Sequence, residues 1–183
     1  MKTYRQQFDE ENLAVVETGP DGKARTRYVY IGSWHGWNVP PARMARTKRV
    51  MALAAALGLV SFLLGALMPS PLTWDRIVGL FTGLGLAAIV VELVGVIQFC
   101  AAKEKLTRQY FSDVNAKLKL APLAHAILLA GAAIACVPLM PGAGVGFANL
   151  LVPLCFMASA LAAAGLSTLY KGLPQVESKN DAA

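Results

Sequence analysis

Four apolar runs, at residues 50–68, 77–102, 118–140 and 147–170, fill most of the chain after Arg49. The first, VMALAAALGLVSFLLGALM, holds no charged residue, and the second, IVGLFTGLGLAAIVVELVGVIQFCAA, holds only Glu92. Runs of about 19 to 26 residues suffice for helices to cross a hydrocarbon core of ~30 Å. In lipid every backbone polar group must be bonded within the protein, which leaves helices or a closed barrel. Continuous runs lack the period-two alternation of a barrel strand, so helices are expected. The fold class read from this is an all-α membrane protein.

Composition agrees. The chain is 56% hydrophobic and 15% charged, where soluble domains carry about a quarter charged residues, and its mean hydropathy is +0.50. A soluble globular enzyme, a disordered chain and a disulfide-stapled secreted module are excluded. The first run starts behind a long polar segment, so it reads as an uncleaved signal-anchor rather than a cleaved signal peptide.

Orientation follows from Lys and Arg. Lys2, Arg5, Lys23, Arg25, Arg27, Arg43, Arg46, Lys48 and Arg49 precede the first run; Lys103, Lys105, Arg108, Lys117 and Lys119 lie around the connection between the second and third. Lys171 and Lys179 follow the last run, and the other two connections hold only Arg76. The positive-inside rule puts both termini and the middle connection in the cytoplasm, and the plasma (cell inner) membrane is the expected location. The formal net charge is +6; because the basic residues flank the apolar runs, anionic lipid headgroups account for them and nucleic acid is not expected.

The two outer connections are short and rich in Pro and Gly, which end helices and turn the chain. Short connections make successive helices antiparallel neighbours, so residues 41–171 are expected to form an antiparallel four-transmembrane-helix bundle. Residues 1–40 are read as a cytoplasmic segment. Within it, LAVVET and RTRYVYI flank Pro20-Asp21-Gly22, the pattern of a β-hairpin over about 13–31. Trp34 and Trp37, with Arg43, Arg46 and Arg49, read as an interfacial anchor. Residues 103–119 place Leu106, Tyr110, Val114 and Leu118 at helical intervals, as an amphipathic segment that lies on the interface or extends a helix. Residues 172–183 are expected to be a disordered tail.

Glu92 is the candidate around which function could be built. It lies ~16 Å beyond Lys103 along a helix and shares a face with Gly85, Ala88 and Gly95, so it should point toward neighbouring helices. Ser61 and Ser159 fall ~18 Å deep, near the same level. His125 and Gln98 lie shallower, ~9 Å and ~7.5 Å deep; they could bond each other, although His125 is more simply read as reaching the interface. Two accounts of Glu92 compete: a carboxyl that binds and releases a proton or cation in transport, or a neutral one that serves as interhelical glue. A working ion path normally shows several ionisable groups in series, which favours glue.

The sequence offers no nucleophile, base and stabiliser together, no phosphate loop and no zinc motif, so no catalysis, metal or cofactor is expected. Gly79 and Gly83 form a GxxxG on a face away from Glu92, a packing motif through which self-association could run. The leading expectation is a non-enzymatic accessory or scaffold subunit of a membrane complex that meets a protein partner on its cytoplasmic side. The alternatives are a small proton- or cation-coupled transporter or channel using Glu92, and, well behind, an intramembrane enzyme.

Overall fold

The computed structural model describes residues 12–18, 24–144 and 146–178. The chain divides into two compact units: one drawn from Met1–Asn38, Lys103–Ser112 and Pro174–Ala183, the other from Val39–Ala102 and Asp113–Leu173.

Four long helices dominate: α1 (Pro41–Leu67), α2 (Arg76–Ala101), α3 (Arg108–Cys136) and α4 (Phe147–Lys171). Each is long and apolar enough to cross a membrane. Pro41 opens α1, where a missing N–H costs nothing. The Asp75 carboxylate opens α2 by accepting from the N–H groups of Ile77 and Val78 at 2.8 and 3.3 Å. α3 begins at Arg108, ahead of the apolar run, so the amphipathic segment extends a helix from that point.

Small residues set the helix pairings. Gly58 faces Ser159 and Ala162, and Gly65 faces Cys155 and Phe156, so α1 and α4 run antiparallel. Gly85 faces Leu129 and Gly95 faces Leu118, which makes α2 and α3 antiparallel as well. α1 meets the end of α2 through Lys48 Nζ, which donates to the carbonyls of Cys100 and Ala102 at 3.1 and 2.7 Å. Phe62, Leu72, Val78, Ile89, Leu129 and Phe156 pack in the core between them. Outward positions such as Leu53, Leu67, Ile97, Ile127 and Leu161 are exposed, as expected of helices whose surroundings are apolar.

The connections are tied by side chains that the sequence analysis passed over. Ser70 Oγ accepts from Leu72 N–H and donates to Asn149 Oδ1 at 2.7 Å. Asn149 Nδ2 donates to the carbonyls of Ala143 and Gly144. One buried amide thus joins the turn after α1 to the turn before α4.

In the other unit, β1 (Asn12–Thr18) pairs antiparallel with β2 (Ala24–Tyr30), from Asn12 opposite Tyr30 to Thr18 opposite Ala24. The expected Pro20-Asp21-Gly22 turn lies outside the described residues. A three-stranded antiparallel sheet has β3 (Trp34–Trp37) at its centre, β4 (Leu106–Thr107) on one side and β5 (Gln175–Ser178) on the other. One expectation, the disordered tail, is corrected by it, and the stretch read as an interfacial anchor gains a structure. The Trp34–Trp37 stretch is a strand in a sheet: the His35 and Trp37 rings pack on Phe111 with centroids 5.5 and 5.2 Å away, and Trp34 packs on Tyr30 at 4.9 Å. The tail, expected to be disordered over 172–183, forms β5 as far as Ser178, because β3 supplies the ladder partners that a local reading of four residues cannot see; residues 179–183 lie outside the described residues.

Candidate functional site

Glu92 lies on the α2 face that carries Gly85 and Gly95, and is 2% exposed. Opposite it, α3 presents His125, 1% exposed, whose Nδ1 stands 2.7 Å from Glu92 Oε2. The other ring nitrogen, Nε2, stands 2.9 Å from Ser159 Oγ on α4. Ser159 Oγ in turn donates to the carbonyl oxygen of Gly58 on α1 at 2.7 Å. The chain Glu92–His125–Ser159–Gly58 therefore takes one member from each long helix. Its acceptor end is open because Gly58 has no side chain: a Cβ there would stand 3.3 Å from the His125 ring.

Of the five candidate intramembrane residues, the structure brings together Glu92, His125 and Ser159. His125 does not turn to the interface; Glu92 and Ser159 hold both its nitrogens inside. Depth counted along one helix misplaced it, because helices that begin at different levels bring unequal counts to the same height. Gln98 is apart from this chain. Its amide donates to Asp113 Oδ2 at 3.1 Å and accepts from Lys117 Nζ at 3.0 Å, and Lys117 also bonds Asp113. Its carboxylate and ammonium partners, one helical turn apart on α3, are better acceptors and donors than a neutral ring. Ser61 is buried on α1, three residues from Gly58, and among the described residues makes no hydrogen bond to the chain.

The sheet carries a second group of the same residue types. Ser33 Oγ donates to Glu177 Oε1 at 2.7 Å and lies 3.3 Å from His35 Nε2. Both groups have a serine, a histidine and a glutamate, the composition of a hydrolytic triad. Their polarity is the reverse of one. In a triad the serine hydroxyl donates to the imidazole, which takes its proton. Here the Ser159 hydrogen goes to Gly58 and the Ser33 hydrogen to Glu177, so in this arrangement neither serine donates to its imidazole.

No family model, curated protein or solved structure matches the chain. Its chemistry rests on its own residues. Among the described residues no three His, Cys, Asp or Glu side chains are grouped to hold a metal ion. Cys100, Cys136 and Cys155 are free thiols. The Gly79–Gly83 pair, read as a packing motif, has nothing within 4 Å of a Cβ at either position.

Proposed function

We propose that this chain is a polytopic membrane protein, an antiparallel four-helix bundle with both termini and the middle connection in the cytoplasm, that serves as a non-enzymatic accessory or scaffold subunit of a membrane complex. The observation that carries the reading is the three-stranded sheet. Its strands come from the N-terminal segment, the connection between α2 and α3, and the C-terminal segment. These are the segments that the distribution of Lys and Arg assigns to one side of the membrane, and strands that pair must share a side. Ordering three separate segments costs entropy, which is accounted for if they present a surface to a partner. The β-hairpin, with Leu13, Val16 and Tyr28 more than half exposed, is the accompanying element, since an isolated two-stranded hairpin is only marginally stable.

Glu92 fits this reading as glue. Its carboxyl is buried, bonded and linked through His125 and Ser159 to every long helix, which is the arrangement of a joint. The test is cross-linking and affinity capture of the tagged full-length protein from its own membrane, beside Glu92→Gln and a deletion of 13–31. A stoichiometric partner retained by Glu92→Gln and lost with the hairpin supports the scaffold. Capture of the chain alone, from wild type and both variants, refutes it.

A second reading, a small proton-coupled transporter, is favoured by one observation: the Glu92–His125 contact joins two groups that can each carry a proton. It requires that Glu92→Gln folds normally and abolishes transport in vesicles.

A further inference from the structure

The donors and acceptors around His125 are fixed by an atom that cannot donate. The Gly58 carbonyl oxygen only accepts. Ser159 has one hydroxyl hydrogen, and at 2.7 Å it is given to that carbonyl. Toward His125 the Ser159 oxygen is then an acceptor, so Nε2, 2.9 Å away, carries a hydrogen. Nδ1 and Glu92 Oε2, 2.7 Å apart, are two acceptors unless a hydrogen lies between them. The relay as it stands thus holds two hydrogens on the ring–carboxyl pair: one on Nε2 and one shared between Nδ1 and Oε2.

We propose that the Glu92–His125 pair is a proton-binding site, and that its one exchangeable proton decides whether Ser159 can bond His125 and Gly58 together. When the shared proton leaves for water, a carboxylate and a neutral imidazole with a single N–H remain. That N–H cannot serve two partners. A carboxylate is a stronger acceptor than a hydroxyl, so the ring gives its hydrogen to Glu92, Nε2 becomes an acceptor, and the single Ser159 hydrogen can serve Nε2 or the Gly58 carbonyl but not both. The relay is then broken on one side of Ser159, and α1 is no longer joined to α3 through it. Proton uptake restores the full chain.

No other titratable group among the described residues bonds the pair. Cys100 lies against the Lys48 carbonyl, Cys155 against Gly65, and Cys136 in the apolar core. Tyr170 bonds Asn115, and Asp113 and Lys117 bond Gln98. The inference goes beyond the scaffold reading and does not depend on it, because its hydrogens are counted from the Glu92, His125, Ser159 and Gly58 contacts alone.

The test uses the full-length protein, labelled with ¹⁵N-histidine and reconstituted in phosphatidylcholine–phosphatidylglycerol vesicles, with His35→Asn to assign the signals of the two histidines. In wild type both His125 nitrogens should show a bound or shared hydrogen at acid pH and only one at alkaline pH. Spin labels at the exposed positions Leu57 and Ile127, on α1 and α3, in a background with the three cysteines changed to alanine, should move apart or broaden in separation over the same interval. Glu92→Gln can donate an amide hydrogen to Nδ1 that does not exchange with pH, so both readouts should be constant. Ser159→Ala should leave the ring titrating while the label separation no longer responds. A wild-type ring identical at acid and alkaline pH overturns the proposal, as does a Glu92→Gln ring that titrates like wild type.

Discussion

Ser159 donates its hydroxyl hydrogen to the carbonyl oxygen of Gly58 at 2.7 Å while its oxygen stands 2.9 Å from His125 Nε2. One hydroxyl therefore serves as donor to α1 and acceptor from α3, and its own helix, α4, is held between them. Replacing Ser159 by alanine leaves the His125 N–H buried without a partner. The expected cost is about 1–3 kcal/mol, seen as a lower unfolding temperature in detergent.

Ser167 should behave oppositely. Its Oγ is buried and has no hydrogen-bond partner among the described residues. Ser167→Ala removes a desolvated hydroxyl without breaking a bond, and should stabilise by up to about 1 kcal/mol. The same melting assay separates the two serines, about two turns apart on the same helix, by the sign of the change.

The glycines divide in the same way. A Cβ at Gly65 would stand 2.9 Å from the Phe156 ring and 3.0 Å from Cys155 Cβ, so Gly65→Ala should cost about 1–3 kcal/mol as α1 is pushed from α4. A Cβ at Gly79 would meet nothing. Gly79→Ala should be neutral or gain up to about 1 kcal/mol, since glycine is the poorer helix former. A loss at Gly79 of the size expected at Gly65, measured in the same detergent series, would contradict the open face of α2.

Lys48 Nζ caps α2 by donating to the carbonyls of Cys100 and of Ala102, the residue just past its end, where a positive charge also complements the helix dipole. Lys48→Met keeps the aliphatic stem and removes the donor. The expected loss is about 1.5 kcal/mol, the lower end for charged hydrogen bonds because the site is half-buried. Faster maleimide labelling of Cys100, whose thiol rests on the Lys48 carbonyl, reports the fraying directly.

β5 should be needed for the sheet. Ending the chain at Leu173 removes the strand that pairs with all of β3 and leaves Trp34 and Trp37 facing an unpaired edge. A red shift of tryptophan emission that survives Trp74→Phe is expected. Unchanged emission would mean that β4 alone holds the strand.

Much of the architecture was legible because it follows from local chemistry. Long uncharged runs have few ways to satisfy their backbone in lipid, and the extents of the four helices match those runs within a turn or so, apart from the polar turns that lengthen α1 and α3. The side of α2 that Glu92 occupies was legible from its small-residue neighbours at helical spacing. The hairpin was legible from two short β-branched stretches around turn residues. What could not be read was any feature that depends on a partner distant in the chain. His125 was placed by counting from the nearest lysine, and only the stagger of α2 against α3 brings it to Glu92. Asn149 gave a signal that could have been used, a polar amide in the first turn of an apolar run, but nothing local pointed to Ser70.

The sequence by itself determined that the chain has four helices long and apolar enough to cross a membrane, and where their apolar stretches lie. Hydropathy, capping and charge act over one helical turn or one hydrophobic thickness, and each is written in consecutive residues. Only the tertiary structure decided that Glu92, His125, Ser159 and the Gly58 carbonyl form one chain of hydrogen bonds, and that three short segments far apart in sequence make one sheet. Hydrogen bonds are directional and reach about 3 Å; which donor meets which acceptor is set by helix stagger and strand register, and neither is carried by any stretch of residues taken alone.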